Sequence, residues 1–149
     1  MTELDDGSLE AWFWRRHANP RSGWSRVPVG AVIVYAVYRR DARLLAGALV
    51  WTVCNPFVFP PPETDEAWMT RAVLAERWWV RAEGNGTVGL ARPNVFNGVA
   101  ATGFCVALYA AWRRRPRLAA IGTALSVSLK LWWLRLLVRR YDARARAEE

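Results

Sequence analysis

The chain has 149 residues, 53% of them hydrophobic, with ten Trp and a formal net charge of +8. That length fits one domain, and the apolar share is above that of an ordinary soluble one. A basic excess can mean nucleic acid or an anionic lipid surface; here the arginines flank apolar runs, which disfavours nucleic acid as a partner.

Mean hydropathy is only −0.02, because the charge is confined to tails and turns. In chain order, Met1–Glu10 is acidic and expected to fray. No cleavable signal peptide is expected, since no small-residue cleavage site follows an apolar core near the start. Leu9–His17, with Trp12, Phe13, Trp14, Arg15 and Arg16, has the composition of an interfacial segment, because Trp combines an apolar ring with a wet N–H. The segment Arg15-Arg16-His17-Ala18-Asn19-Pro20-Arg21-Ser22-Gly23-Trp24-Ser25-Arg26 follows. Its guanidinium forks could bind a phosphate or lipid headgroup. It also reads as a basic collar with ordinary Asn-Pro turn chemistry.

Four apolar runs then make two hairpins. They are Val27–Tyr38, Leu44–Pro62, Val95–Trp112 and Leu118–Leu134. Arg39-Arg40-Asp41-Ala42-Arg43 joins the first pair and Arg113-Arg114-Arg115-Pro116-Arg117 the second. A shift of 74 positions places Tyr35, Ala36, Arg39, Arg40 and Arg43 on Tyr109, Ala110, Arg113, Arg114 and Arg117. This suggests two parallel halves related about the membrane normal. A straight helix needs about 20 residues to cross a ~30 Å hydrocarbon core. The second hairpin comes close to that length. In the first, Asn55-Pro56 and Pro60-Pro61-Pro62 predict a helix that stops near Cys54, because proline removes a donor and crowds the preceding turn. Four short transmembrane spans are expected, with the first hairpin re-entrant or thinning the bilayer as the alternative.

Between the hairpins, Thr64–Glu83 has the pattern of an amphipathic helix. Thr64 is the expected N-cap, Asp65 and Glu66 suit the first turn, and Trp68, Ala72, Ala75, Trp79 and Ala82 share one face. Such a helix suits the interface plane or packs over the hairpin ends. Gly84-Asn85-Gly86 ends it. Trp24, Trp51, Trp112, Trp132 and Trp133 are expected in the aromatic belt.

No catalytic or cofactor motif is present. His17 is the only histidine, and no metal site can be built around it without Cys or carboxylate partners at ligand spacing. Cys54 and Cys105 are expected to be buried free thiols. The pairs Asn19-Pro20 and Asn55-Pro56 resemble half-helix motifs of water channels, but the third residue differs and the chain is too short for six spans. Lys130 is the one cation inside a run. An intramembrane charge is a functional candidate by default, but with Arg135 five residues on, snorkelling to the interface is expected. The positive-inside rule places the tails in the cytoplasm, although arginine is densest in the turns.

The run Arg16-His17-Ala18-Asn19-Pro20-Arg21-Ser22-Gly23-Trp24-Ser25-Arg26 resembles the opening motif, Arg-His-x-Asn-Pro-x-Ser-x-Trp, of an uncharacterised family of short archaeal and bacterial membrane proteins. The resemblance extends over most of the chain and implies membrane location without an activity.

The expectation is an all-α integral membrane protein, multi-pass in the cell membrane. It has hairpins over 24–62 and 94–138 and an interfacial helix over 64–83. The function expected is non-enzymatic contact with anionic headgroups, without a cofactor, through Arg39, Arg40, Arg113, Arg114 and Arg115. Lys130 and Asn55 are its embedded polar residues, and self-association is compatible with the pattern. The alternative is a membrane enzyme or small carrier acting on a lipid or phosphorylated substrate at Arg15, Arg16, His17, Asn19 and Arg21. A carboxylate such as Glu76 or Glu83 against His17 would favour that alternative.

Overall fold

The computed structural model describes residues 8–90 and 92–147. These form seven α-helices and no strand. They are α1 (Leu9–His17), α2 (Pro20–Arg26), α3 (Val29–Arg39), α4 (Ala42–Val58), α5 (Trp68–Arg81), α6 (Asn94–Trp112) and α7 (Pro116–Ala147). The expected fraying of Met1–Glu10 lies, for residues 1–7, outside the described residues. From Ser8 the chain is ordered by a cap: the Ser8 hydroxyl accepts from the Ala11 N–H at 3.0 Å, and Glu10 pairs with Arg81 at 2.9 Å.

The four-span expectation is corrected. Among the described residues, only α6 and α7 are long and apolar enough to cross a membrane. α3 has 11 residues and α4 has 17, about 16 and 25 Å of helix. The chain breaks at Val27-Pro28, so α2 and α3 are two short rods where the second half has the continuous α6. Pro56, by contrast, does not end α4, which runs on to Val58. Its neighbour Asn55 is fully buried and bonded to α2, so tertiary contacts hold the turn that proline weakens.

α6 and α7 approach closely over small residues. A Cβ on Gly122 would stand 3.1 Å from both Ala107 Cβ and the Gly103 carbonyl oxygen. The row Gly103, Ala107, Ala111 recurs every four residues, the small-residue pattern of helices that meet without a hydrophobic drive from water. Val34, Ala107, Ala110, Ala111 and Ala119 form the core there. The other faces of this bundle point apolar side chains outward, including Val50, Val53, Val106, Tyr109, Ile121 and Leu125. Only 22% and 28% of the apolar stretches of α6 and α7 are buried, so most of their apolar surface faces outward. Cys54 and Cys105 are exposed on this surface, contrary to the expected burial.

The second core joins α5 to the far half of α7. Met69, Ala72, Ala75 and Trp79 pack on Trp133, Leu134, Leu137 and Val138. Trp133 is therefore wholly buried rather than in an aromatic belt, while Trp24, Trp112 and Trp132 are exposed. α5 starts at Trp68 behind Ala67, with no side-chain cap, not at Thr64; residues 63–67 offer no large apolar side chain, and Trp68 is the first to dock, on Trp24 at 5.7 Å between ring centroids. α5 spends its apolar face on α7, the packing alternative left open above. Gly23 lets α2 sit on α5, since a Cβ there would collide with Met69 Cγ at 2.2 Å.

Candidate functional site: paired arginine turns and an opposite polar belt

Both hairpin turns have the same backbone. Arg40 and Arg114 each take a left-handed φ of 57°. The Arg40 and Asp41 N–H groups donate to Val37 and Ala36 carbonyls at 3.1 and 2.9 Å; Arg114 and Arg115 donate to Ala111 and Ala110 at 3.0 and 2.9 Å. This is the Schellman pattern, usually ended by glycine. Arginine holds the position in both, 74 residues apart. The turns lie side by side. The Arg40 guanidinium sits 5.5 Å over the Trp112 ring, and Arg114 sits 5.5 Å over Tyr38. Tyr38 and Trp112 are themselves 74 positions apart, so the stacks are reciprocal. Cation–π contacts of this kind stabilise by roughly 0.5–1 kcal/mol each at exposed sites.

This end carries Arg39, Arg40, Arg43, Arg113, Arg114, Arg115 and Arg117, all exposed. Its single acid, Asp41, caps α4 by accepting from the Arg43 and Leu44 N–H groups at 3.0 and 2.9 Å. The end is thus strongly positive, with guanidinium forks splayed outward.

At the opposite end of the bundle the polar side chains form a belt. Asn19 caps α2, accepting from the Arg21 and Ser22 N–H groups, and donates to the Pro60 carbonyl at 2.9 Å. Arg16 donates to the Phe57 carbonyl at 2.9 Å. In the amide orientation that matches donors to acceptors, Asn55 donates to Ser22 Oγ at 2.6 Å and accepts from Ser25 Oγ at 2.8 Å and Trp51 Nε1 at 3.2 Å. These bonds clamp α1 and α2 to the end of α4. Beside them the Arg26 guanidinium contacts both ring nitrogens of His17. Burial, then Arg26, then Lys130 hold the His17 imidazole down at about 3 instead of its ordinary 6.5, so it is neutral at physiological pH. Burial lowers Arg26 to about 10, opposed by Glu76; it stays cationic. Lys130 donates to Glu76 Oε1 at 3.3 Å and lies 4.1 Å over the Trp133 ring.

The full-length pattern decides membership. The chain matches, over residues 5–149, the family described as "Family of unknown function (DUF6653)". The chain belongs to that family. No curated protein and no solved structure matches it. DUF6653 membership brings no activity with it.

In this DUF6653 chain, Arg39, Arg40, Arg113, Arg114 and Arg115 are brought together. Arg15, Arg16, His17, Asn19 and Arg21 are not gathered around one point: Arg16 and Asn19 hold α4, His17 faces Arg26, and Arg21 is exposed. Lys130 is paired rather than snorkelling alone, which corrects the expectation; its partner sits on α5, outside the apolar runs. Glu76 thus serves Lys130 and lies within electrostatic reach of Arg26, with no hydrogen bond to His17 among the described contacts. Tyr38 and Trp112 were not anticipated as ring partners, although the 74-residue shift already equated them. Among the described residues no three His, Cys, Asp or Glu side chains gather as a metal site.

Proposed function

We propose that this chain is a multi-pass integral protein of the cell membrane that holds anionic lipid headgroups at its paired arginine turns and catalyses no reaction. The observation that carries this is the pairing of two identical turns into one surface of seven arginines whose single acid is spent as a helix cap. Arginine suits phosphate because its planar fork donates two parallel hydrogen bonds. The outward apolar faces of α6 and α7 support the membrane part of the reading. The polar cluster at Arg15–Arg26 supports it indirectly, since Arg16, Asn19 and Arg26 are engaged within the protein.

Spin-labelled phosphatidylglycerol and phosphatidylcholine, compared around the reconstituted protein, test it. The parent should restrict more of the anionic lipid. Arg113, Arg114 and Arg115 changed to Gln should remove most of that preference, at about 1 kcal/mol per basic residue. Equal restriction of both lipids by the parent would refute the headgroup role. Recovery of the protein without detergent would refute the membrane role.

A further inference from the structure

A groove of about 790 Å³ runs between α3 and α7. Ala31, Tyr35 and Tyr38 line one side, and Ala120, Ala124 and Val127 the other. Its volume is that of a ligand site, and its walls are almost wholly apolar. It follows α7 from Pro116 to Ser128, about 18 Å of helix. One leaflet of hydrocarbon is about 15 Å deep, half of the ~30 Å core. Trp24 lines one end of the groove, and Tyr38 and Pro116 line the other, its mouth. That mouth is where the charge is. Tyr38 carries the Arg114 guanidinium on its ring, Arg39 and Arg40 follow Tyr38, and Arg117 follows Pro116.

We propose that the groove holds one acyl chain of an anionic phospholipid whose phosphate is bound by the arginines at its mouth, Arg114 and Arg117 foremost. This rests on the headgroup reading above and adds a defined seat for the chain. An apolar slot one leaflet deep, with guanidinium groups at one end only, complements a molecule with a phosphate on an acyl chain. A soluble phosphate would use the mouth and leave the slot unfilled.

The test reconstitutes the full chain in vesicles of equal phosphatidylglycerol and phosphatidylcholine, extracts it in mild detergent, and measures retained lipid by native mass spectrometry. The parent should retain phosphatidylglycerol preferentially. Ala124→Trp fills the slot from an exposed position and should cut that retention about tenfold, the factor given by 1.4 kcal/mol. Ala31→Trp fills it from the other wall. Arg114→Gln with Arg117→Gln should cut it by about thirtyfold, the factor for two contacts of about 1 kcal/mol each. A phosphatidylglycerol bearing a diazirine at the chain terminus should label the parent along the groove walls.

If both tryptophan variants retain the lipid and the label lands elsewhere, while the glutamine variant loses it, the groove proposal is overturned and the headgroup reading survives. If the parent retains both lipids equally, both are overturned. If neither tryptophan variant folds, the label position in the parent decides.

Discussion

At the scale of residues, His17 and Lys130 make the sharpest claims. His17 is held at about 3 in the folded protein against 6.5 unfolded. The groups around it are Arg26, Lys130 and, through them, Glu76. As pH falls through 6.5, the unfolded chain takes up a proton that the folded chain refuses, so acidification costs stability from there down to about 3. The melting point in detergent should therefore fall between about pH 7.5 and pH 5, and His17→Gln should flatten that slope; an unchanged slope would remove His17 as its source. The Lys130–Glu76 pair is partly exposed, with side-chain exposures of 41% and 24%. Pairs of that exposure are worth about 0.2–1 kcal/mol. A double-mutant cycle with Lys130→Leu and Glu76→Leu should show a coupling of that order. Additive effects would restore the snorkelling picture.

At the scale of elements, legibility follows how local the cause is. α1 has the bounds of its sequence segment, and α6 begins one residue before its apolar run, because caps and apolar runs are local. The arginine turns were legible as turns and as a repeat, and their shared Schellman geometry follows from that. What the sequence concealed depends on distant partners. Proline rules end α4 at Cys54, yet Ser22 and Ser25, thirty or so residues away, secure Asn55 and the helix passes Pro56. α7 runs well past Leu134, since Leu137, Val138 and Tyr141 lie between its arginines and pack on α5. Lys130 finds its acid on α5, at Glu76, and nothing local says that α5 lies across α7. Among the candidate site residues, those of the two arginine turns lie together in space, because each turn is local and Arg40 and Arg114 each reach a ring of the other hairpin. The segment around His17 is adjacent in sequence, and in space its side chains turn to different partners, Arg16 and Asn19 to α4 and His17 to Arg26.

At the scale of the whole molecule, the distance between the two polar ends matters. From Pro116 to Lys130 α7 rises about 21 Å. A typical hydrocarbon core is ~30 Å thick, and a mismatch is met by tilting or local thinning at a modest cost per ångström. The protein should therefore be most heat-stable in bilayers with short myristoyl chains and lose stability as chains lengthen to eicosenoyl. Differential scanning of the reconstituted protein across such a series checks this. A maximum in the thickest bilayer would show that the charged belt does not mark the boundary of the apolar layer.

The reciprocal stacking of Arg40 on Trp112 and Arg114 on Tyr38 also has a mechanical side. One contact between two hairpins is a pivot, about which they can still swivel. Two contacts, set apart and pointing in opposite senses, oppose the swivel. At roughly 0.5–1 kcal/mol each, the two stacks make the arginine end a restrained joint, one that resists a change of angle between the hairpins without locking it.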